Sequence, residues 1–262
     1  MPGRPTHTKT DAPLKSPHPL PLTPSQAALV IFAKAPIPGQ VKTRLCPPLT
    51  SDEAATLHGS FVLDTLERTK AAATKFKLPV DRYLACSPSA THVFFKIMEE
   101  RQGVKLIDQV GDDLGARMNQ VFEMLFARGY KDVLIVGTDA PTLPLEQYKQ
   151  AITLLDTHDL VLGPALDGGY YLISLTRPNP DLFTGIPWST DQVLKLTQEK
   201  AGQLGLKSAL LTPWRDIDTI GDLEALIEAS ATDAKKPKHE QSFSSRTAGA
   251  LQLLAKRLRT RA

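Results

Sequence analysis

Short apolar runs alternate along the chain with longer segments in which apolar residues recur every three or four positions. The first run, residues 27–33, is uniformly apolar, as expected for a strand that is covered on both faces. The later runs are similarly short and are bounded by glycine, proline or charged residues. We predict that each run is a β-strand, at residues 27–33, 80–85, 104–107, 132–137, 160–163, 170–175 and 208–211.

The intervening segments have the periodicity and the capping residues of helices. Thr50 with Glu53 forms a capping-box pattern, which predicts a helix that runs to about residue 73. Thr219 with Asp222 predicts the same arrangement before the last helix of the domain, and Ser189 or Thr190 is the expected cap of a helix ending near residue 202. Further helices are predicted over residues 91–100, after the turn at 111–113, and from residue 145 to 155.

This alternation of strands and amphipathic helices predicts a single α/β domain with a mostly parallel sheet and helices on both faces. One strand is expected to break the pattern. Residues 170–175 follow residues 160–163 too closely for a crossover helix, so this strand should run antiparallel to its neighbour. The fold class predicted from the pattern is therefore α/β, a mostly parallel sheet with helices on both faces and one antiparallel strand.

Both ends of the chain differ in composition from the middle. Seven of the first 26 residues are proline, and we expect residues 1–26 to be a disordered extension, with a transit peptide as the alternative. Residues 231–242 are polar and lysine-rich, as in a linker. The leucines and basic residues of 246–262 fit either a frayed, charged tail, which we favour, or a helix that contacts an anionic surface. The predicted folded domain is residues 27–230.

The charge distribution argues against nucleic acid as a partner. The net charge is +3, but residues 1–26 contribute +2 and residues 231–262 contribute +6, which leaves −5 for residues 27–230. Two cysteines, Cys46 and Cys86, do not form a CxxC motif, and no apolar run reaches the length of a membrane span. We expect a cytoplasmic protein without a disulfide or zinc site. The sequence does not indicate an oligomeric state.

Three cations follow the first predicted strand, at the edge of the sheet where open α/β proteins bind ligands. They lie in a loop that two prolines exclude from helix and in which a glycine allows close approach of the backbone. Exposed amides together with lysine and arginine are what a polyphosphate requires. The expected phosphate-binding residues are Lys34, Gly39, Lys42, Thr43 and Arg44, the alternative being a solvated basic loop.

Aspartates follow two other strands at the same edge. Asp139 comes directly after the strand at 132–137, and Asp218 follows the last strand. Hard divalent cations prefer carboxylate oxygens, so we expect Mg²⁺ or Mn²⁺ to be held by Asp139 and Asp218. The alternative for Asp139 is a role in capping the turn that follows it.

Three further segments have weaker indications of a site. Asp167, Gly168 and Gly169 fit a hairpin turn as well as a ligand contact. The predicted acceptor-binding set adds Trp188, Ser189 and Thr190, for which a core tryptophan and a helix cap are the alternative. The start of the helix after residue 113 could bind an anion through Gly115 and Arg117. We expect His58, His92 and His158 to be structural or surface residues.

These motifs, in order, resemble a bacterial GT-A-like family labelled arsenosugar-biosynthesis or radical-SAM/selenodomain-associated glycosyltransferase. The resemblance covers about residues 28–228 and rests on the segments 32–45, 111–118, 137–141, 163–171, 188–190 and 216–219. One departure is Ala140, where the family usually has cysteine or serine, and this makes a substrate contact at position 140 doubtful. The family is similar to GT-A nucleotidyltransferases, including the guanylyltransferase that activates 2-phospholactate.

The resemblance implies a nucleotide or nucleotide-sugar donor, a divalent metal, and an aspartate in the position of Asp139. With a small-molecule acceptor, the reaction expected first is glycosyl transfer, for which Asp139, Asp167 and Lys42 are the candidate catalytic residues. Transfer of a nucleotidyl group from a nucleoside triphosphate is the alternative, because three cations suit a triphosphate at least as well as a diphosphate. A nucleotide-binding protein without turnover is a third possibility.

Overall fold

The computed structural model describes residues 26–259, which form seven strands and seven α-helices. The predicted extension at the N-terminus lies outside the described residues, apart from Gln26. The elements in chain order are β1 (Ala27–Lys34), α1 (Ser51–Lys75), β2 (Val80–Ser87), α2 (Val93–Gln102), β3 (Lys105–Asp108), α3 (Leu114–Ala127), β4 (Asp132–Val136), α4 (Leu145–Leu155), β5 (Leu160–Pro164), β6 (Tyr170–Leu175), α5 (Val193–Gln203), β7 (Ser208–Leu210), α6 (Ile220–Asp233) and α7 (Ser245–Arg259).

All seven strands form one sheet, in the order β3-β2-β1-β4-β6-β5-β7. Only β6 is antiparallel to its neighbours, β4 and β5, so the other six strands end at the same edge. The predicted mixed sheet is confirmed, and so is the reason for it: the turn between β5 and β6 is too short for a crossover.

Apolar side chains alternate between the two faces of the sheet and form two cores. Leu29 and Ile31 of β1 point to the face covered by α1, α2 and α4, whereas Ala28 and Val30 point to the face covered by α3 and α5. The inner strands β1, β4, β5 and β6 are therefore buried on both faces, which is why their sequences are almost continuously apolar. Among the described residues, none of the helices combines the length and the apolar character needed to cross a membrane.

Two of the predicted helix starts are confirmed and one is wrong. The side chains of Thr50 and Thr219 accept from the amides of Glu53 and Asp222, which complete both capping boxes. By contrast, α5 begins after Gln192 and has no side-chain cap. The hydroxyl of Thr190 donates instead to the carbonyl of Pro187, because the chain still turns at that point.

The interpretation of residues 246–262 as a frayed tail is wrong, because most of them form helix α7, packed on α1 and α6. Leu251 and Leu254 are buried in a third apolar cluster with residues of those helices. The buried Thr247 hydroxyl and the Arg246 guanidinium bind the carboxylate of Asp64 on α1, at 2.5 and 2.8 Å. Sequence periodicity alone could not show that α1 presents an acidic residue and a second apolar face to receive this helix.

Helix α7 should therefore contribute to stability through one face only. We expect Leu251→Ala to lower the free energy of unfolding by about 2–4 kcal/mol, as for other buried leucines. Leu253 is 73% exposed on the opposite face of the same helix. Leu253→Ala should therefore change the free energy of unfolding by less than about 0.5 kcal/mol. Urea unfolding of the full-length variants measures both, and equal effects would show that α7 does not pack as described.

Candidate active site

A cavity of about 710 Å³ opens at the sheet edge where the six parallel strands end. It is lined by the loop after β1, the ends of β3 and β4, the β5–β6 turn, residues 188–193 and the segment after β7. Most of the residues predicted from the sequence to have a chemical role meet here. Parallel strands make this possible, since the loops that leave their carboxyl ends share one edge.

Lys42 lies at the centre of this cavity wall. Its Nζ is 2.5 Å from Oδ1 of Asp139, 2.8 Å from Oδ1 of Asp218, and donates to the carbonyl of Ile217 at 2.6 Å. The Lys42 side chain is only 4% exposed, whereas those of Asp139 and Asp218 are 42% and 32% exposed. The ammonium thus bridges the two carboxylates that were predicted to hold a metal.

The backbone is arranged to permit this bridge. Lys42 has a left-handed conformation, with φ of 49°, immediately before a turn of 3-10 helix at Thr43–Leu45. The amide of Ile217 donates to the carbonyl of Asp139 at 2.9 Å, which ties the segment after β7 to the end of β4. A non-glycine residue in this region of φ is strained, so the ion pairs must offset that strain.

The ion pairs also set the protonation states of the three groups. Burial alone would lower the pKa of Lys42, but Asp139 and Asp218 raise it above its ordinary value. Burial would raise the pKa of Asp139, but the charge of Lys42 and its hydrogen bond hold it below its ordinary value. Lys42 is therefore a cation and Asp139 an anion throughout the neutral range.

A second group of carboxylates lies beside the first. The ligand oxygens of Asp167, Asp216 and Asp218 all lie within 4.8 Å of one another. The amide of Leu166 donates to the carbonyl of Trp214 at 3.2 Å, and the amide of Trp214 donates to the carbonyl of Pro164 at 3.0 Å. These two bonds bring the β5–β6 turn alongside the segment after β7. Burial and the neighbouring charge of Asp167 raise the pKa of Asp216 to about 7, as expected for a buried carboxyl group beside a like charge.

Asp216 and His58 are site residues that the sequence analysis missed. His58 was expected to be structural or on the surface, but it is buried on α1 and lines the cavity. Its Nε2 lies 3.0 Å from the carbonyl of Lys34, and since a carbonyl only accepts, Nε2 is the donor. Burial lowers the pKa of His58, so it is neutral at pH 7. Its position in the middle of a helix gave no signal, because the approach of α1 to β1 is a tertiary contact.

The other cations of the basic loop are exposed. Lys34, Thr43 and Arg44 line the mouth of the cavity, and the phosphate-binding role predicted for them stays a prediction. Gly39 has φ of 78°, which explains the glycine, but it lies outside the cavity lining.

Gly115 and Arg117 lie outside the cavity, although an anion-binding role was predicted for both. A Cβ at Gly115 would lie 2.4 Å from the ring of Trp188, so the glycine is required for the tryptophan to pack on α3. The Nε of Arg117 donates to the carbonyl of Gly111 at 2.9 Å and holds the loop before α3. Both residues therefore have a structural role.

The predicted acceptor-binding residues divide into two groups. Gly169, Trp188, Ser189 and Thr190 line the cavity. Gly168 has φ of 90°, and a Cβ there would lie 2.2 Å from the carbonyl of Asp191, so its glycine is needed for close packing of two loops. The amide of Gly169 donates to Asp167 at 2.8 Å, which turns that carboxylate back over the β5–β6 turn.

A larger cavity, of about 920 Å³, lies between α1, α6 and residues 241–244. Its charged side chains already have partners within the fold. Arg68 donates from Nε to the carbonyl of Leu143 at 2.7 Å, and Asp64 binds Arg246. The smaller cavity, which has both exposed cations and clustered carboxylates, is the candidate active site.

Comparison with solved structures shows the family to which the chain belongs. A protein from Desulfovibrio desulfuricans G20, provisionally described as a nucleotide-diphospho-sugar transferase, shares 32% sequence identity, with a TM-score of 0.77. The alignment covers 90% of this chain and 98% of the Desulfovibrio protein. This chain belongs to the same family. Residues 70–190 also match the family described as "Uncharacterized protein conserved in bacteria (DUF2064)".

More distant structures share the fold alone. The CMP:2-keto-3-deoxy-manno-octonic acid synthetase complexed with CTP is 13% identical, with a TM-score of 0.52, over 80% of this chain and 100% of that chain. A cytidylyltransferase from Leptospira borgpetersenii is 14% identical, with a TM-score of 0.51, over 88% and 94% of the two chains. A search of curated protein sequences found no match to the chain. The arsenosugar or radical-SAM label remains a resemblance.

Proposed function

We propose that the protein is a metal-dependent transferase that uses a nucleotide-activated donor, with glycosyl transfer from a nucleotide sugar to a small acceptor as its reaction. One observation supports this most: exposed cations of the β1 loop and four aspartates face each other across one cavity at the carboxyl ends of the strands. A metal-bound polyphosphate needs both kinds of group, the cations for its phosphates and the carboxylates for its metal. The fold, which it shares with the Desulfovibrio protein, supports the same class of donor.

The carboxylates have the chemistry that Mg²⁺ or Mn²⁺ prefers. Asp167, Asp216 and Asp218 supply clustered carboxylate oxygens, which lie within 4.8 Å of one another. We propose that Asp216 and Asp218 hold the metal, which would neutralise charge that develops on the leaving diphosphate. If the Lys42 ammonium leaves the two carboxylates and binds phosphate oxygens instead, Asp139 becomes a further ligand of the metal.

In this proposal, the residues of the chain have separate tasks. Lys34, Lys42 and Arg44 bind the phosphates, and the cavity wall at Gly169 and Trp188 receives the acceptor. Asp167, which is exposed in the cavity, accepts the proton of the acceptor hydroxyl as that oxygen bonds to the anomeric carbon. The bond from this carbon to the diphosphate breaks, and the nucleoside diphosphate leaves.

Nucleotidyl transfer is the second candidate, favoured by the three cations of the β1 loop. In that reaction an acceptor oxygen attacks the α-phosphorus of a nucleoside triphosphate and pyrophosphate leaves. The two reactions use the same groups and differ in which bond breaks.

Ligand screening followed by product analysis tests the proposal. We expect the melting temperature of the full-length protein to rise with nucleotide sugars or nucleoside triphosphates when Mg²⁺ or Mn²⁺ is present, and to rise much less in a chelator. Release of a nucleoside diphosphate from the bound donor would support glycosyl transfer, and pyrophosphate would support nucleotidyl transfer. If neither class of nucleotide stabilises the protein with either metal, the proposed function is wrong.

The role of the basic loop has its own test. Arg44→Ala should weaken binding of the best nucleotide by about 1.5–3 kcal/mol, through loss of a charge-assisted hydrogen bond. The control is Arg101→Ala, an exposed arginine in the last turn of α2, which is outside the cavity lining. Titration calorimetry compares the two, and an Arg44→Ala affinity equal to that of the control would show that the loop is merely solvated.

A further inference from the structure

Gln109 follows β3 and its side chain is held in one orientation. Its Nε2 donates to the carbonyl of Ala33, at the end of β1, at 3.2 Å, and to the carbonyl of Ala85, on β2, at 2.8 Å. Carbonyl oxygens only accept, so the amide nitrogen must face them and both of its hydrogens are used. The backbone amide of Gln109 donates to the carbonyl of Cys86 at 3.1 Å and fixes the residue further.

This orientation leaves the Oε1 of Gln109 as an acceptor that no donor within residues 26–259 satisfies. Gln109 is half-buried and lines the candidate active site. A fixed acceptor in a cavity wall discriminates among ligands, because a ligand that offers no donor there leaves it desolvated and unpaired.

The surroundings of Gln109 differ from the charged end of the cavity. Leu114, which is 43% exposed, and Trp188 line the wall nearby, and Trp188 packs against Gly115 at the start of α3. Gln109 follows β3 and bonds to β1 and β2, whereas the aspartates follow β4, β5 and β7 on the other half of the sheet. An apolar end with one hydrogen-bond acceptor suits a nucleobase, and the charged end suits its phosphates.

We propose that Gln109 is a specificity-determining residue, whose Oε1 accepts a hydrogen bond from the exocyclic amino group of the donor nucleobase. This inference rests on the proposed function. It predicts preference for adenine, cytosine or guanine over uracil. Uracil presents a single N–H between two carbonyl oxygens. Those oxygens need hydrogen-bond donors, and both N–H groups of the Gln109 amide are already bonded to the carbonyls of Ala33 and Ala85.

The test compares nucleotides with a ligand that has no base. Binding of ATP, CTP, GTP, UTP and inorganic tripolyphosphate to the full-length protein is measured by calorimetry in Mg²⁺. We expect at least one amino-bearing nucleotide to bind tenfold or more tightly than UTP. Gln109→Met should reduce that preference to less than threefold while it changes tripolyphosphate affinity by less than twofold.

Two further variants separate recognition from a structural effect. Gln109→Lys retains donors for the carbonyls of Ala33 and Ala85 but lacks the acceptor, so it too should lose the preference over UTP. Gln203→Met, an exposed glutamine at the end of α5, should behave like the parent. Melting temperatures show whether each variant is folded.

The remaining outcomes overturn the inference. UTP as the tightest ligand of the parent, or an undiminished preference in a folded Gln109→Lys variant, would exclude base recognition by Gln109. Equal losses for nucleotides and tripolyphosphate in Gln109→Met would mean that Gln109 only supports the β1 loop. If the parent binds neither nucleotides nor tripolyphosphate, the proposed function itself has failed, and this inference fails with it.

Discussion

The buried ammonium of Lys42 joins three segments that are far apart in sequence: the loop after β1, the end of β4 and the segment after β7. It contacts Asp139, Asp218 and the carbonyl of Ile217, each within 2.8 Å. Two half-exposed carboxylates this close would otherwise repel each other, so the lysine allows them to share the cavity wall. The neighbouring cluster of Asp167, Asp216 and Asp218 depends on it, because Asp218 belongs to both groups.

The fold makes this arrangement possible because it brings the ends of the parallel strands to one edge of the sheet. Along that edge, Gln109 and the aspartates follow different strands. The ends of β3, β2 and β1 hold Gln109 and the basic loop, and the ends of β4, β5 and β7 present the acids. Two glycines allow the cavity walls to pack closely. Gly115 lies beneath Trp188, and Gly168 lies beneath Asp191. In this account the nucleotide lies across the edge, with its base and its phosphates at opposite ends.

Much of this could be predicted from local patterns. Continuous apolar runs identified the strands, the short β5–β6 connection indicated the antiparallel strand, and aspartates after strands indicated the acidic wall. What could not be predicted depends on tertiary contact. The burial of His58 needs the position of α1, the pairing of Lys42 needs the position of the β1 loop, and the docking of α7 needs the second apolar face of α1. No local pattern contains these distances.

The stability of a Lys42→Met variant, with and without Mn²⁺, tests the central claim most directly. Methionine keeps the length of the side chain but leaves Asp139 and Asp218 without their cation, so in a chelator the variant should lose about 1.5–3 kcal/mol of unfolding free energy. Mn²⁺ should restore most of that loss and should stabilise the variant more than it stabilises the parent. A variant as stable as the parent in chelator, or one that Mn²⁺ does not stabilise, would contradict the account.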